Sequence, residues 1–598
     1  MERHHFTPTS DPTTSARRAM LAWGLAIVGV AALALRVGLP AGPAAGPWLV
    51  ALQVFMPWLA GVVSGDIAWR RAPGWVLRGR GVRGRWPRPL GPAIEAAAAL
   101  SLFLALLGWP VAAAGLSVVV AVLMSVRLSG VLARTMTHPG LLLPLSFLAL
   151  IAAATLMLKL PAATPHDQPI GWVDALFTAT SAVCVTGLVV RGTAEGFTIF
   201  GQAVILGAIQ LGALGFMIFG STLALVLGVR PSYQESLTLS AALDEYPAHR
   251  IMRFAWFIVG TTLAIEAIGA LALAALWPDP LTPHTPHAPG GLAWQAVFHS
   301  VSAFCNAGFD ITGDSLVPMR HGLAPYLVIA PLIVLGGLGF LVLEDVTQYL
   351  RRRLRPRPGR PAPRLRTHSK IVLATTACLL VGGFTAIFVA QSVAAGGPTP
   401  GTLADAAFLS VTARTAGFNA MPMDELSPGS RFATMVLMAI GGSPGSTAGG
   451  LKTATVAVLF LAVAATVRGR HDVEAFGRRL PDSLVRKAAT VAASLLGVIV
   501  LATLTLDLTE TIPFEPLLFE VVSAASTTGL SLGATTELSP FGRVVITITM
   551  FAGRLGALSL LGVLVQGVGG VGGVGGVGRI ESDASARSHL PRDTVSLG

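Results

Sequence analysis

Long apolar stretches, separated by short polar and basic segments, run along almost the entire chain. Many of them approach or exceed the about 20 residues that a helix needs to cross a bilayer. From about residue 140 onwards, these long stretches alternate with partly apolar segments of only half that length. This pattern predicts an all-α protein that crosses a membrane many times, with short helices that enter the membrane and return.

The first 135 residues contain four apolar runs and predict a bundle of accessory transmembrane helices, at residues 20–39, 47–63, 92–109 and 110–126. Arg17 and Arg18 precede the first run, and seven arginines between Arg70 and Arg88 follow the second. Because basic residues collect on the cytoplasmic side, the N-terminus is expected in the cytoplasm.

The rest of the hydrophobic chain divides into four similar units, at residues 136–230, 231–350, 351–470 and 471–566, followed by a Gly/Val-rich and polar tail at 567–598. In each unit a short segment separates two long apolar runs. The short segments are residues 174–183, 294–304, 403–413 and 515–525. Basic residues flank the long runs on one side, so all four connections between them are expected to open outside the cell.

Each short segment continues into a nearly identical motif that starts with Phe, contains Ser-Ala or Thr-Ala, and ends in Gly. The motifs are Phe177 to Gly187, Phe298 to Gly308, Phe408 to Gly417 and Phe519 to Gly529. Successive glycines are 121, 109 and 112 residues apart. Four equivalent loops on one axis are the means by which a membrane protein builds an ion selectivity filter from backbone carbonyls.

The ends of these loops are therefore the candidate ion-binding residues. They are Val185, Thr186, Gly187, Asn306, Ala307, Gly308, Thr415, Ala416, Gly417, Thr527, Thr528 and Gly529. Glycine allows the turns that point carbonyls at a common axis, and the C-terminal ends of the short helices would add partial negative charge. Since none of the twelve is acidic, the loops favour monovalent cations over a carboxylate ring for calcium. The alternative is that the small residues only let helices pack closely.

A Gly-, Ser- and Pro-rich segment interrupts the second apolar run of the third unit, at residues 432–467. It contains Gly441, Gly442, Ser443, Pro444, Gly445, Ser446, Thr447, Gly449, Gly450 and Lys452. Such a composition breaks a helix and predicts a flexible stretch halfway down the run, just below the candidate filter. A static kink is the alternative. Lys452 is either a cationic barrier or held by a carboxylate.

Several charged residues lie within apolar runs or motifs. Arg554 is in the last run, and a buried charge in a bundle usually faces a partner or a water-filled path. Glu520 is one candidate partner, which would make the arginine structural. Arg414 is interpreted as a support of the third loop, and Glu266 and Asp507 have no assigned role.

Charge and cysteine content exclude other classes of protein. The net charge of +12 arises from arginine clusters between apolar runs, so it indicates membrane topology rather than nucleic-acid binding. The three cysteines show no metal-ligand spacing, and no cofactor is expected. The apolar runs contain no nucleophile–base motif or paired aspartates, so an enzyme is not expected.

With these motifs, the chain resembles the Trk/Ktr/HKT superfamily of potassium and sodium transporters, most closely the bacterial Ktr-type membrane subunit, over about residues 140–566. The resemblance rests on the four loops and on QLGALGFM at 210–217, GGSPGSTAGGLKTAT at 441–455 and GRLG at 553–556. It implies four units of helix, pore helix and helix around one pore. It also implies a gate at residues 441–452 with Arg554 beside it.

The resemblance further implies potassium uptake across the bacterial cytoplasmic membrane, a homodimer in lipid and a cytosolic nucleotide-binding regulatory subunit of the RCK type. All four filter positions are Gly, as in members that prefer potassium. Cys184 and Cys305 depart from the usual Thr and Asn, and packing of a small side chain is the simpler interpretation. A sodium-conducting or weakly selective relative and an alternating-access transporter remain as alternatives.

Overall fold

The computed structural model describes residues 142–165, 168–227, 248–277, 291–355, 364–470 and 472–556. The accessory helices and the tail predicted at residues 1–135 and 567–598 lie outside this part of the chain. Within it the protein is almost entirely helical, as predicted. A single antiparallel hairpin, β1 (Val473–Ala475) and β2 (Arg478–Leu480), pairs Glu474 with Arg479.

Long and short helices alternate along the described chain. The longer elements are α1 (Leu142–Leu158), α2 (Trp172–Val183), α3 (Ile199–Leu227), α4 (Ala248–Leu276), α5 (Gly291–Phe304), α6 (Ala330–Leu338), α7 (Phe340–Leu354), α8 (Thr367–Ala394), α9 (Pro400–Thr412), α10 (Pro428–Ala439), α11 (Thr453–Val467), α12 (Asp482–Thr509), α13 (Phe514–Ser526) and α14 (Pro540–Leu555). A π-helical turn, Pro325–Ile329, leads into α6, and the one-turn helices Thr193–Gly196 and Ala534–Glu537 precede α3 and α14.

Three of the described helices are long and apolar enough to cross a membrane: Phe257–Leu276, Thr367–Ala394 and Asp482–Thr509. A fourth span is broken, because Pro325–Leu338 and Phe340–Leu354 meet at an angle of 101°. The apolar residues 323–343, which the sequence pattern gives as a single run, are therefore not one straight helix. Gly339 separates the two helices with φ +84°, a conformation that ends a helix and that glycine adopts without strain.

The short helices α2, α5, α9 and α13 pack between their longer neighbours. Their C-terminal ends agree with the predicted segments or differ by one residue. The motif phenylalanines Phe177, Phe298, Phe408 and Phe519 are buried and anchor these helices in the interior. The apolar rings therefore hold each short helix at a fixed depth, and the loop that follows each one is held at a fixed depth with it.

Ser-Pro pairs set where two of the long helices begin. Ser427 accepts a hydrogen bond from the Ser430 backbone and Ser539 from the Gly542 backbone, each with proline at the next position. Serine satisfies a free N–H at a helix start, and proline fits there because its missing N–H is not needed. Near these starts, Arg431 of α10 meets Glu515 and Arg543 of α14 meets Asp174, both in the first turn of a short helix.

The break predicted in the second helix of the third unit is confirmed. The helix α10 ends at Ala439 and α11 begins at Thr453, with a non-helical segment between them. The last helix, α14, ends at Leu555, where Gly556 has φ +81°. The apolar residues of the last run that follow, up to residue 565, lie outside the described residues.

Candidate functional site

The four motif glycines meet in a closed ring. A Cβ atom on Gly308 would lie 2.7 Å from the Ala416 carbonyl oxygen and 2.8 Å from the Gly417 Cα. The same relation repeats around the ring: a Cβ on Gly187 would strike the Ala307 carbonyl, one on Gly417 the Thr528 carbonyl, and one on Gly529 the Thr186 carbonyl. The order is first unit to second, second to third, third to fourth and fourth back to first. The structure thus brings the twelve predicted residues together.

The backbone conformation of the four loops is repeated as well. The residue two positions before each glycine is left-handed, with φ of +58° at Val185, +57° at Asn306, +67° at Thr415 and +52° at Thr527. This region is costly for β-branched residues, by about 1–3 kcal/mol each, and three of the four are Val or Thr. Strained backbone at four equivalent points indicates a functional constraint on where the carbonyls lie.

The hydroxyl of each Ser-Ala or Thr-Ala pair fastens the loop that follows it. Gly187 N donates to Ser181 Oγ at 3.1 Å, and Gly529 N donates to Ser523 Oγ at 3.0 Å. In the other two loops the hydroxyl donates instead: Ser302 Oγ to Phe309 O at 2.7 Å and Thr412 Oγ1 to Phe418 O at 2.6 Å. The sequence marked these hydroxyls by their repetition, but their role as loop fasteners follows only from the structure.

Three threonine hydroxyls in the ring are buried without a hydrogen-bond partner in the described part of the chain. They belong to Thr186, Thr415 and Thr527, which are at most 1% exposed. A buried hydroxyl without a partner costs free energy unless water or an ion contacts it. The four carbonyls and these hydroxyls are all neutral oxygens, the ligand type that replaces the hydration shell of a monovalent cation.

The segment between α10 and α11, which we call the intramembrane loop (residues 440–452), contacts the second and fourth units as well as its own. Ser443 N donates to Gly337 O at 2.9 Å, and Thr447 Oγ1 donates to Phe304 O at 3.3 Å, at the end of α5. A Cβ on Gly449 would strike the Ser526 carbonyl and the Thr527 hydroxyl in the fourth loop. The intramembrane loop therefore lies directly against the second and fourth glycine loops.

Three basic side chains hold the intramembrane loop in place. Arg554 Nη1 donates to Thr447 O at 2.5 Å, and Arg554 Nη2 donates to Gly212 O of α3 at 3.5 Å. Arg414 Nη2 donates to Gly441 O at 3.4 Å. Lys452 Nζ donates to Ala448 O at 2.6 Å, within the loop itself. These contacts connect the loop to the first, third and fourth units.

The structure places Arg554 beside the intramembrane loop, as the resemblance implied. Its guanidinium donates to the Thr447 and Gly212 carbonyls, and the alternative partner Glu520 has its buried carboxyl group beside Ser531. Of the two alternatives left open for Lys452, a carboxylate partner is not what the structure shows, because Lys452 donates to the Ala448 carbonyl of its own loop. Asp507 is exposed on α12.

A second closed set of contacts, which we call the outer belt, surrounds the ring on the side where the short helices begin. In each contact a residue near or at the start of one unit's second long helix meets the short helix of the next unit. The four links join Gln202 to Trp294, Arg320 to Asp405, Arg431 to Glu515 and Arg543 to Asp174. The donor–acceptor distances are 2.9, 2.6, 3.6 and 2.7 Å in that order. Its order of units is the same as that of the glycine ring.

The charged links differ in strength. Arg320 donates twice to Asp405, whose side chain is only 3% exposed, and this carboxylate raises the pKa of the Arg320 guanidinium. The link from Arg543 to Asp174 joins the fourth unit to the first. No adjacent chain segment connects those two units, so noncovalent contacts alone close the ring there.

We expect Arg543→Gln to lower the free energy of unfolding by about 0.5–1 kcal/mol, since the pair with Asp174 is partly exposed and such pairs contribute little each. The exchange Asp174→Arg with Arg543→Asp should recover part of the loss. Thermal unfolding of the detergent-solubilised protein measures both. Arg479→Gln, which breaks an exposed pair with Asp472 at 3.0 Å in the hairpin, is the control. An equal loss of unfolding free energy from Arg479→Gln would contradict a special role for the contact between the fourth and first units.

Comparison with known proteins identifies the class to which this site belongs. Residues 146–565 match the family model TrkH, described as cation transport protein. The match covers most of the chain, including all four glycine loops and the intramembrane loop. The chain therefore belongs to this family of integral membrane cation transport proteins, and a membrane enzyme is not supported.

Similar individual proteins are potassium uptake proteins by name. The chain is 36% identical over 435 residues to the potassium/sodium uptake protein NtpJ of Enterococcus hirae, covering 72% of this chain and 93% of that protein. It is 34% identical over 432 residues to the Ktr system potassium uptake protein B of Bacillus subtilis, covering 71% and 92%. The solved structure of the potassium transporter TrkH from Vibrio parahaemolyticus shares its fold, with a TM-score of 0.55 and 17% identity over 86% of this chain and 97% of that one.

Proposed function

We propose that this chain takes up potassium across a cell membrane through a filter of backbone carbonyls. The observation that carries the proposal is the closed ring in which each glycine abuts the carbonyl of the next unit. Four units of long helix, short helix and long helix would then surround one pore, with the accessory N-terminal helices outside it. The ring residues bind the ion as it passes, and the membrane potential, worth about 2.3 kcal/mol per charge per 100 mV, drives it inward.

The neutral oxygens of the ring support a monovalent cation as the transported ion. Potassium holds its water less tightly than smaller ions do, so a ring of carbonyls and hydroxyls can replace that water without a full negative charge. The name of the Enterococcus relative, which includes sodium, favours a second candidate function in which sodium passes as well. In both cases the ion is cargo and no cofactor takes part.

The intramembrane loop is proposed as the gate. It lies against the second and fourth glycine loops, so a displacement of a few ångströms would open or close the path beneath the filter. Its glycines, Gly441, Gly442, Gly445, Gly449 and Gly450, leave it the conformational freedom that such a movement requires. Arg554 and Arg414 bind its backbone and would set the balance between the two positions.

Partners belong to the same proposal. The Bacillus and Vibrio relatives are named as parts of a Ktr system, which supports a regulatory subunit for this chain too. We propose a cytosolic nucleotide-binding subunit, a homodimer in lipid and the bacterial cytoplasmic membrane as the location, with the N-terminus in the cytoplasm.

Growth of a potassium-uptake-deficient bacterium on limiting potassium tests the proposal. Expression of the chain, with a cognate regulator supplied, is expected to restore growth and rubidium uptake. Gly187→Ser should weaken potassium uptake and raise sodium uptake, because a side chain at this position meets the Ala307 carbonyl and disturbs the ring. Membrane insertion is checked by immunoblotting. Absence of potassium, rubidium and sodium uptake by inserted protein would refute the proposal.

A further inference from the structure

Three polar side chains form a cluster behind the second glycine loop, where the first and second units meet. Gln210 lies on α3, Glu266 on α4 and Cys305 directly after α5. Gln210 Nε2 donates to Glu266 Oε2 at 3.1 Å. The Cys305 thiol lies 3.4 Å from Gln210 Oε1 and 3.7 Å from Glu266 Oε1. Each of the three side chains thus contacts both of the others.

The position of Glu266 makes this cluster unusual. It lies within the apolar span Phe257–Leu276 and is only 5% exposed. A carboxyl group at membrane depth is costly, and such groups face partners inside the protein and mark functional positions. Here an amide and a thiol contact its two oxygens. At the same residue, Ser300 Oγ donates to the Glu266 backbone carbonyl at 2.7 Å, which fastens α4 to the short helix α5.

Cys305 transmits the position of the cluster to the filter. It is 1% exposed and directly precedes Asn306, the left-handed residue of the second loop. Only Ala307 lies between Asn306 and Gly308, and the Ala307 carbonyl is the one that Gly187 abuts. Because only two residues separate Cys305 from Gly308 and the first of them has a strained backbone, a shift of the Cys305 side chain is expected to move the Ala307 carbonyl with it.

The same stretch of backbone is contacted from a second direction. Thr447 of the intramembrane loop donates to the carbonyl of Phe304, the residue before Cys305. A Cβ atom on Gly336 would also strike that carbonyl, so α6 leaves no room there for movement. The cluster and the intramembrane loop therefore contact neighbouring residues, Cys305 and Phe304, at the end of α5.

We propose that Glu266 and Gln210 are positioning residues of the filter: they hold the Cys305 thiol and thereby fix the second loop in the arrangement that discriminates potassium from sodium. This inference rests on the proposed function, since it assigns selectivity to the glycine ring. Neither residue touches the ion. They act through the backbone of the loop.

An exchange of the two side chains gives the test. Gln210→Glu replaces the amide N–H that donates to Glu266 by a second carboxyl group, so the two groups must repel or share a proton and the present hydrogen bond is lost. We expect the ratio of potassium to sodium uptake in proteoliposomes to fall roughly five- to tenfold. Adding Glu266→Gln restores one amide and one carboxyl group in reversed positions, and the ratio should return to within about twofold of the wild type.

A pair of the same chemistry elsewhere in the chain provides the control. Gln348 Nε2 donates to Glu344 Oε1 at 2.9 Å on α7, beyond the bend at Gly339. Gln348→Glu also puts two carboxylates side by side, and the ratio should stay unchanged. A smaller perturbation, Cys305→Ala, removes only the thiol and should lower the ratio about two- to threefold. Cys305→Ser keeps a donor and should retain most of the ratio.

Each outcome has a clear consequence. An unchanged ratio in inserted Gln210→Glu protein, or a double exchange no better than the single variant, overturns the inference. If Gln210→Glu fails to insert, a wild-type ratio in Cys305→Ala overturns it instead. Gly187→Ser is measured in parallel: if it leaves the ratio unchanged the filter proposal itself fails, whereas a shift there without one at Gln210 refutes only this inference.

Discussion

Alanine at Gly529 is expected to reduce potassium uptake to less than about a tenth of the wild-type rate, whereas alanine at Gly533 should leave it nearly unchanged. The two glycines have almost the same positive φ, +94° and +96°. An L-residue with such a φ costs about 1–2 kcal/mol at either position. Their surroundings differ: a Cβ at Gly529 would strike the Thr186 carbonyl, and one at Gly533 meets nothing within 4 Å.

Because both variants place an L-residue at a positive φ, the difference in potassium uptake between them reports mainly on the contact of Gly529 with the Thr186 carbonyl. The Thr186 carbonyl cannot move away easily, since Ser181 and the left-handed Val185 fix its loop. Rubidium uptake into cells, divided by the amount of protein in the membrane, is the measurement. Size-exclusion chromatography in detergent shows whether each variant is folded. Equal uptake by the two variants would mean that the fourth loop does not take part in a conducting ring.

The repetition of one motif made the site predictable, and the reasons are physical. A Phe, a small hydroxyl residue and a Gly at nearly constant spacing encode one buried anchor, one loop fastener and one tight backbone approach. Each of these depends on local geometry, so Phe177 and Gly187 could be interpreted without knowing which unit lies next to which. The break at residues 440–452 was predictable for the same reason, since the composition alone excludes a helix there.

Contacts between one unit and the next could not be predicted from the repeated motif. The link of Arg543 to Asp174 spans 369 residues, and the sequence does not state that the fourth unit closes on the first. The atoms that Arg554 contacts could not be predicted, because every residue has a backbone carbonyl and the sequence does not distinguish the two that accept its hydrogen bonds. Gly339 ends a helix while the pair Gly382–Gly383 and the single Gly497 lie inside helices, so the residue type does not decide where a helix breaks.

We expect Arg554→Gln to increase the maximal rate of potassium uptake roughly five- to tenfold. The guanidinium holds the intramembrane loop through Thr447 and reaches Gly212 on the opposite side, and it places a positive charge beside the proposed path. At an effective dielectric constant of about 20, two unit charges roughly 12–17 Å apart repel by about 1–1.4 kcal/mol, and removing that repulsion is worth roughly a factor of five to ten. Glutamine removes the charge and shortens the reach, so both obstacles to conduction decrease together.

Arg554→Lys separates the two effects, because it keeps the charge but cannot bridge two carbonyls with a planar group. If the lysine variant takes up potassium near the wild-type rate, the positive charge of Arg554 is what limits transport. If its rate is near that of the glutamine variant, the hydrogen bonds from Arg554 to Thr447 and Gly212 are what limit transport. Arg479→Gln, in the exposed hairpin, controls for the loss of a positive charge elsewhere. If inserted Arg554→Gln protein transported no faster than the wild type, the proposal that this loop is the gate would be excluded, because a loop that blocks the path must conduct better once the hydrogen bond from Arg554 to Thr447 is removed.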